Sequence, residues 1–86
     1  MNAISPPPHY AVERAARLVA SLSPRETEVL RLFADGNTSK MIARKFGTTD
    51  RTVETQRMGV YRKLGVNSVA MAARIAQQAG LVGDAC

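Results

Sequence analysis

Between Thr38 and Leu64 the chain concentrates side chains suited to gripping a polyanion: Lys40, Arg51, Arg57, Arg62 and Lys63, interspersed with hydroxyls. Val53, Val60 and Leu64 recur at i, i+7 and i+11, the spacing of one buried helical stripe at about 3.6 residues per turn. If that stripe faces inward, Arg51, Glu54, Thr55, Met58 and Arg62 face outward. The chemistry on offer is twofold. Cations, hydroxyls and helix N-termini hold phosphates and set register, whereas short polar and apolar side chains read base edges. Arg51, Arg57 and Arg62 are expected to add to the phosphate grip.

Other chemistries find little support. His9 is the sole histidine and follows Pro6, Pro7 and Pro8, where a solvated imidazole is the expectation rather than a catalytic base. Ser23 and Glu26 have the spacing of a capping box, not of a nucleophile and its base. Asp35 and Asp50 fall at predicted helix ends, and no glycine-rich phosphate loop or spaced acidic metal loop occurs. Met41, Met58 and Met71 read as packing or surface residues. The only cysteine, Cys86, ends the sequence, so no internal disulfide or cysteine cluster is available. The expectation is a non-enzyme with no cofactor and no metal.

The elements that position these side chains must be few. The 86 residues are 45% hydrophobic with two Phe, two Tyr and no Trp, enough for one core of modest stability. Twelve Lys plus Arg against seven Asp plus Glu give a net charge of +5 and an isoelectric point near 10.2, which favours a polyanionic partner. No apolar run approaches a membrane span and no secretory signal opens the chain. A cytoplasmic protein without a membrane partner is expected.

Residues 1–9 read as an extended, proline-rich arm. Residues 10–21 read as a leader helix, with Ala11, Ala15, Leu18 and Leu22 on one stripe; the stripe either packs on the body or faces a partner. Ser23-Pro24-Arg25-Glu26 is a strong start signal, predicting a helix from Pro24 to about Asp35 ended by Gly36. Thr38 or Ser39 caps a short helix with Ile42, Ala43 and Phe46 inward and Gly47 as its exit. Thr49 caps a longer helix from Asp50 to Leu64, stopped by Gly65. An alanine-rich helix begins near Ser68 and closes at Gly80. No period-two run appears, so the fold is predicted to be all-α. Two short helices joined by a glycine turn are a device for laying the second in a nucleic-acid groove.

These residues resemble a family. Leu22-Ser23-Pro24-Arg25-Glu26 with Glu28-Val29-Leu30 and Gly36, then Lys40 with Ile42-Ala43, Thr52-Val53, Tyr61-Arg62-Lys63-Leu64-Gly65-Val66, Ala72 and Gly80-Leu81 look like the LuxR-type DNA-binding domain of FixJ, NarL and GerE proteins. The similarity covers roughly residues 22–82, leaving 83–86 as a tail. It implies a compact four-helix domain, here preceded by the leader helix, whose second and third helices form a helix-turn-helix. It further implies a bacterial transcription regulator that binds double-stranded DNA as a homodimer. By the same resemblance the base-reading positions are Glu54, Thr55 and Met58, and the backbone contacts include Lys40, Thr52 and Lys63. The dimer contact falls on the last helix, at Val69, Ala73, Ala76 and Gln77.

The chain also departs from the pattern. Glu54 stands where lysine is usual, Gln56 where histidine is common, Gly59 where asparagine is common and Val69 where arginine is common. Glu54 is repelled by phosphate unless it accepts a hydrogen bond from a cytosine amino group. Gly59 costs a helix about 1 kcal/mol relative to alanine. A second reading follows from the lost cations: a degenerate helix-turn-helix protein acting through another regulator or RNA polymerase. Family members usually carry a regulatory domain ahead of this one, and about twenty residues precede Leu22. Either a small constitutive protein or a fragment of a longer one is expected, with a slight lean to the former from Met1.

Overall fold

Ser23, Thr38, Thr49 and Ser68 each start a helix in the computed structural model, which describes residues 8–82. The helices are α1 (His9–Ala20), α2 (Pro24–Ala34), α3 (Ser39–Phe46), α4 (Asp50–Leu64) and α5 (Val69–Gln78), and no strand occurs among the described residues. Ser23 Oγ accepts from Glu26 N at 3.1 Å and Thr38 Oγ1 from Met41 N at 3.1 Å. Thr49 Oγ1 accepts from Thr52 N at 3.2 Å and Ser68 Oγ from Met71 N at 3.2 Å. Each cap satisfies a backbone donor that the helix itself leaves unpaired, a contribution of about 1 kcal/mol. At Ser23 the box is complete, because Ser23 N donates to Glu26 Oε1 at 2.9 Å. The choice between Thr38 and Ser39 falls to Thr38, and Ser39 becomes the first helical residue.

Exits are as local as starts. Gly47 (φ 68, ψ 36) and Gly65 (φ 72, ψ 34) end α3 and α4 in the left-handed conformation, which residues with a Cβ adopt only under strain. At the other end of the chain α1 begins earlier than expected. His9 belongs to the helix rather than to an arm, and its Nε2 lies 2.9 Å from Glu13 Oε2 one turn on. The remainder of the expected arm, residues 1–7, and the expected tail, residues 83–86, lie outside the described residues.

Two apolar clusters hold the helices. The larger joins Ala15, Leu22, Leu30, Val60, Tyr61, Leu64, Ala72, Ile75 and Ala76, so that α5 is packed between α1 and α2. The smaller joins Leu32, Ile42, Ala43 and Val53, flanked by Phe33 and Phe46, and seats α3 against α4. Burying a Leu or Val side chain of this kind is favourable by about 1.5–3 kcal/mol. Helix α4 contributes to both clusters, Val53 to the smaller and Val60, Tyr61 and Leu64 to the larger. The leader stripe meets the body: Ala15 and Leu22 are buried and Leu18 is half-buried against the same core.

One expectation for α5 is corrected here. Ala76, placed at a dimer contact, has 0% of its surface exposed, because its face of the helix is the one filled by the core. Val69 and Gln77 remain exposed and Ala73 half-buried.

Candidate nucleic-acid interface

The inward stripe of α4 determines its outward one. With Val53, Val60 and Leu64 buried, Arg51, Thr55, Met58 and Arg62 follow at i, i+4, i+7 and i+11 on the opposite side, and all four are exposed. Met58, an apolar side chain, is 51% exposed in the middle of this ridge. Thr52 and Lys63 are exposed beside it. The helix enters with Asp50 in its first turn and leaves with Arg62 and Lys63 in its last, a distribution that complements the helix dipole.

Helix α3 supplies a second set of cations. Lys40 and Arg44 are exposed one turn apart, with Met41 49% exposed on the same side. Arg44 escaped the sequence reading, although its i+4 spacing from Lys40 was the available signal. Among the described residues Lys40, Arg44, Arg51 and Arg62 belong to none of the ion pairs. Their positive charge is uncompensated locally and open to an anion.

Three expected contact residues are engaged inside the protein. Glu54 Oε2 accepts from Ser39 Oγ across the α3–α4 junction. Its Oε1 accepts from Arg57 Nη2 and, at 3.1 Å, from Arg57 Nε. The Ser39 hydroxyl, and after it the Arg57 guanidinium, hold the Glu54 carboxyl below the usual carboxylate range. Arg57 in turn donates from Nη1 to Tyr61 Oη at 3.0 Å. Its guanidinium carbon lies 5.1 Å from the Tyr61 ring centroid and 5.7 Å from that of Phe33, both within cation–π range. Lys63 Nζ donates to Glu26 Oε1 at 2.8 Å.

That last pair explains Gly59. A Cβ built at Gly59 comes within 3.0 Å of Glu26 Oε2, so the absent side chain makes room for a carboxylate that caps α2, packs on α4 and binds Lys63. Residues distant in sequence create this crowding, which offsets part of the helical preference for alanine at position 59. Gln56, the other departure on this helix, has its Oε1 buried and accepts no hydrogen bond within the protein.

The arrangement presents exposed cations, hydroxyls and two apolar side chains, Met41 and Met58, on two adjoining helices. Among the described residues no group of three His, Cys, Asp or Glu is placed to hold a metal ion. No helix there is long and apolar enough to cross a membrane.

Comparison with known proteins gives the family. Residues 20–76 match the family described as bacterial regulatory proteins, luxR family. The chain is 42% identical over 74 residues to the transcriptional regulatory protein FixJ of Bradyrhizobium diazoefficiens, covering 86% of this chain and 36% of that protein. It is 41% identical over 61 residues to the transcriptional regulatory protein YdfI of Bacillus subtilis, covering 71% and 29% respectively. The transcriptional regulatory protein MctR of Rhizobium johnstonii is 39% identical over 61 residues, covering 71% and 28%. The chain thus spans about a third of the length of these curated relatives. No solved structure matches.

Proposed function

This chain belongs to the luxR family of bacterial regulatory proteins, and we propose from that premise that it binds double-stranded DNA as a homodimer with α4 in the major groove. The observation that carries the reading is the exposed ridge of Arg51, Thr55, Met58 and Arg62 on the side of α4 opposite its buried stripe. Thr55 and Met58, at its centre, read base edges, the hydroxyl by hydrogen bonding and the thioether by contact with a thymine methyl. Arg51 and Arg62 at the ends, Thr52 beside them and Lys40 on α3 hold phosphates. Val69, Ala73 and Gln77 of α5 form the dimer contact, which sets the two α4 helices about 34 Å apart in successive major grooves.

The three residues engaged internally take different parts in this reading. Lys63 is bound to Glu26 and Arg57 to Glu54, so neither is a primary phosphate contact in the resting protein. Glu54 has donors on both oxygens already, which removes the incentive to seek a cytosine amino group.

The test is duplex binding as a function of salt, followed by selection from a random duplex library. Each displaced phosphate counterion contributes about 0.9 to the slope of log affinity against log salt, so a dimer gives a steep slope. The selected motif is two-fold symmetric. Thr55→Ala or Met58→Ala alters that motif, whereas Lys40→Ala weakens all sequences alike and lowers the slope by about 1 for each phosphate no longer held. Failure to bind any duplex at low salt refutes the reading and leaves recruitment of another regulator or RNA polymerase as the alternative.

A further inference from the structure

Glu54 is the one acidic side chain bridging α3 and α4 in the described structure, and its two partners are the kinds of group that bind phosphate. The first is the hydroxyl of Ser39, at the first position of α3; the second is the guanidinium fork of Arg57. Arg57 Nε and Nη2 both donate to the one Glu54 oxygen Oε1; a guanidinium donates the same charge-assisted hydrogen bonds to a phosphate oxygen, and serine hydroxyls are common phosphate donors. The cluster is at the surface, since the Glu54 side chain is 43% exposed and that of Arg57 26%. It also borders the reading ridge: Arg57, Met58, Tyr61 and Arg62 line one surface depression of about 340 Å³. Arg57 therefore opens to the same side as Met58 and Arg62.

We propose that Glu54 is a built-in stand-in for a DNA phosphate, occupying the Ser39 hydroxyl and the Arg57 guanidinium that a backbone phosphate would otherwise engage, and thereby limiting nonspecific binding. This rests on the DNA-binding reading above and deepens it by giving Glu54 a specificity role. Nonspecific affinity comes almost wholly from phosphate contacts, so masking one cation and one hydroxyl lowers it while leaving the base-facing Thr55 and Met58 untouched. Independently of Glu54, the Phe33 and Tyr61 rings lie within cation–π range of the Arg57 guanidinium, and Tyr61 Oη accepts from its Nη1. The guanidinium is thus already positioned once the carboxylate is neutralised.

The experiment compares wild type, Glu54→Gln and the double variant E54Q/R57Q on a labelled random-sequence duplex of about 30 base pairs, across about 50–200 mM salt. E54Q is expected to bind roughly three- to tenfold tighter, with the slope of log affinity against log salt steeper by about 0.9 per subunit. Both gains are expected to vanish in E54Q/R57Q. A gain that survives removal of Arg57 means simple relief of repulsion and overturns masking, as does an unchanged or weakened E54Q. A readout on the wild type needs no variant to fold: its Arg57 Nε–H resonance should stay in place when the random duplex is added. Movement of that resonance in the wild type refutes the proposal. Absence of binding by every form at low salt defeats the DNA reading and masking together, whereas wild-type binding without a gain in E54Q defeats masking alone.

Discussion

Replacing Gly59 by alanine sets two opposed effects against each other on α4. In the helix interior alanine is favoured over glycine by about 0.8–1 kcal/mol, through the entropy lost by glycine on ordering. Against this, the new Cβ meets Glu26 Oε2 at 3.0 Å, where ordinary contact begins near 3.4 Å, so the carboxylate must retreat by a few tenths of an ångström. Oε1, not Oε2, carries the bonds to Ser23 N and Lys63 Nζ, at 2.9 and 2.8 Å. A small rotation about the Cγ–Cδ bond shifts both oxygens by a similar few tenths of an ångström, lengthening the two bonds of Oε1 without breaking them. Partial weakening of a cap and a surface ion pair costs about 0.3–0.5 kcal/mol. The expected net is a stabilisation of about 0.5 kcal/mol, raising the melting temperature by about 2–4 °C in a domain of this size. The assay is thermal and urea unfolding followed by far-ultraviolet circular dichroism. In a Glu26→Ala background the obstacle is gone and the same substitution should yield the full increment of about 1 kcal/mol. An increment indifferent to Glu26 refutes crowding by its carboxylate at position 59, whereas a fall in stability on the wild-type background contradicts only a cheap retreat of that carboxylate.

Stability should also respond to acid through Glu26. The Lys63 ammonium, then the Ser23 backbone N–H, hold its carboxyl below the ordinary value of 4.5; the resulting stabilisation is fully present above that value and is lost as pH falls through the lower folded one. Unfolding measured between about pH 7 and pH 3 should show this loss, and Glu26→Gln should flatten it; an unchanged profile in the variant contradicts the assignment. On α5, Ala76→Leu overfills the core and should cost about 1–3 kcal/mol, whereas Ala73→Glu should leave the melting temperature nearly unchanged and weaken self-association in sedimentation. The reverse pattern argues that the dimer contact is misplaced.

How far the fold is legible from residues alone follows from the range of the forces involved. The Ser23, Thr49 and Ser68 starts, the Gly47 and Gly65 exits and the span of α4 are set within four or five residues, so spacing exposes them. His9 reads as part of an arm because three prolines dominate the local composition, although its partner Glu13 sits one turn on. Ala76 illustrates a different difficulty: an alanine-rich helix has little hydrophobic contrast, and its buried side cannot be told from its free one by pattern. The Lys63–Glu26 contact joins residues 37 apart and the Ser39–Glu54 contact residues 15 apart. Such pairs exist only once helices have packed, and therefore Glu54, Arg57 and Lys63 read as free surface charges in the sequence. The outward ridge is legible because it is the geometric complement of an apolar stripe.

The partition of α4 between two apolar clusters has a dynamic consequence. Its C-terminal half is anchored by the nine-residue cluster shared with α1, α2 and α5, while its N-terminal half leans on the four-residue cluster of Leu32, Ile42, Ala43 and Val53. Less apolar contact means a cheaper local opening. Amide protons of α3 and of the first turns of α4 are accordingly expected to exchange with solvent sooner than those around Val60 to Leu64. In the proposed docking of α4, its N-terminal end is the more pliant one, able to settle into a groove whose width varies with base composition, while the far end stays fastened.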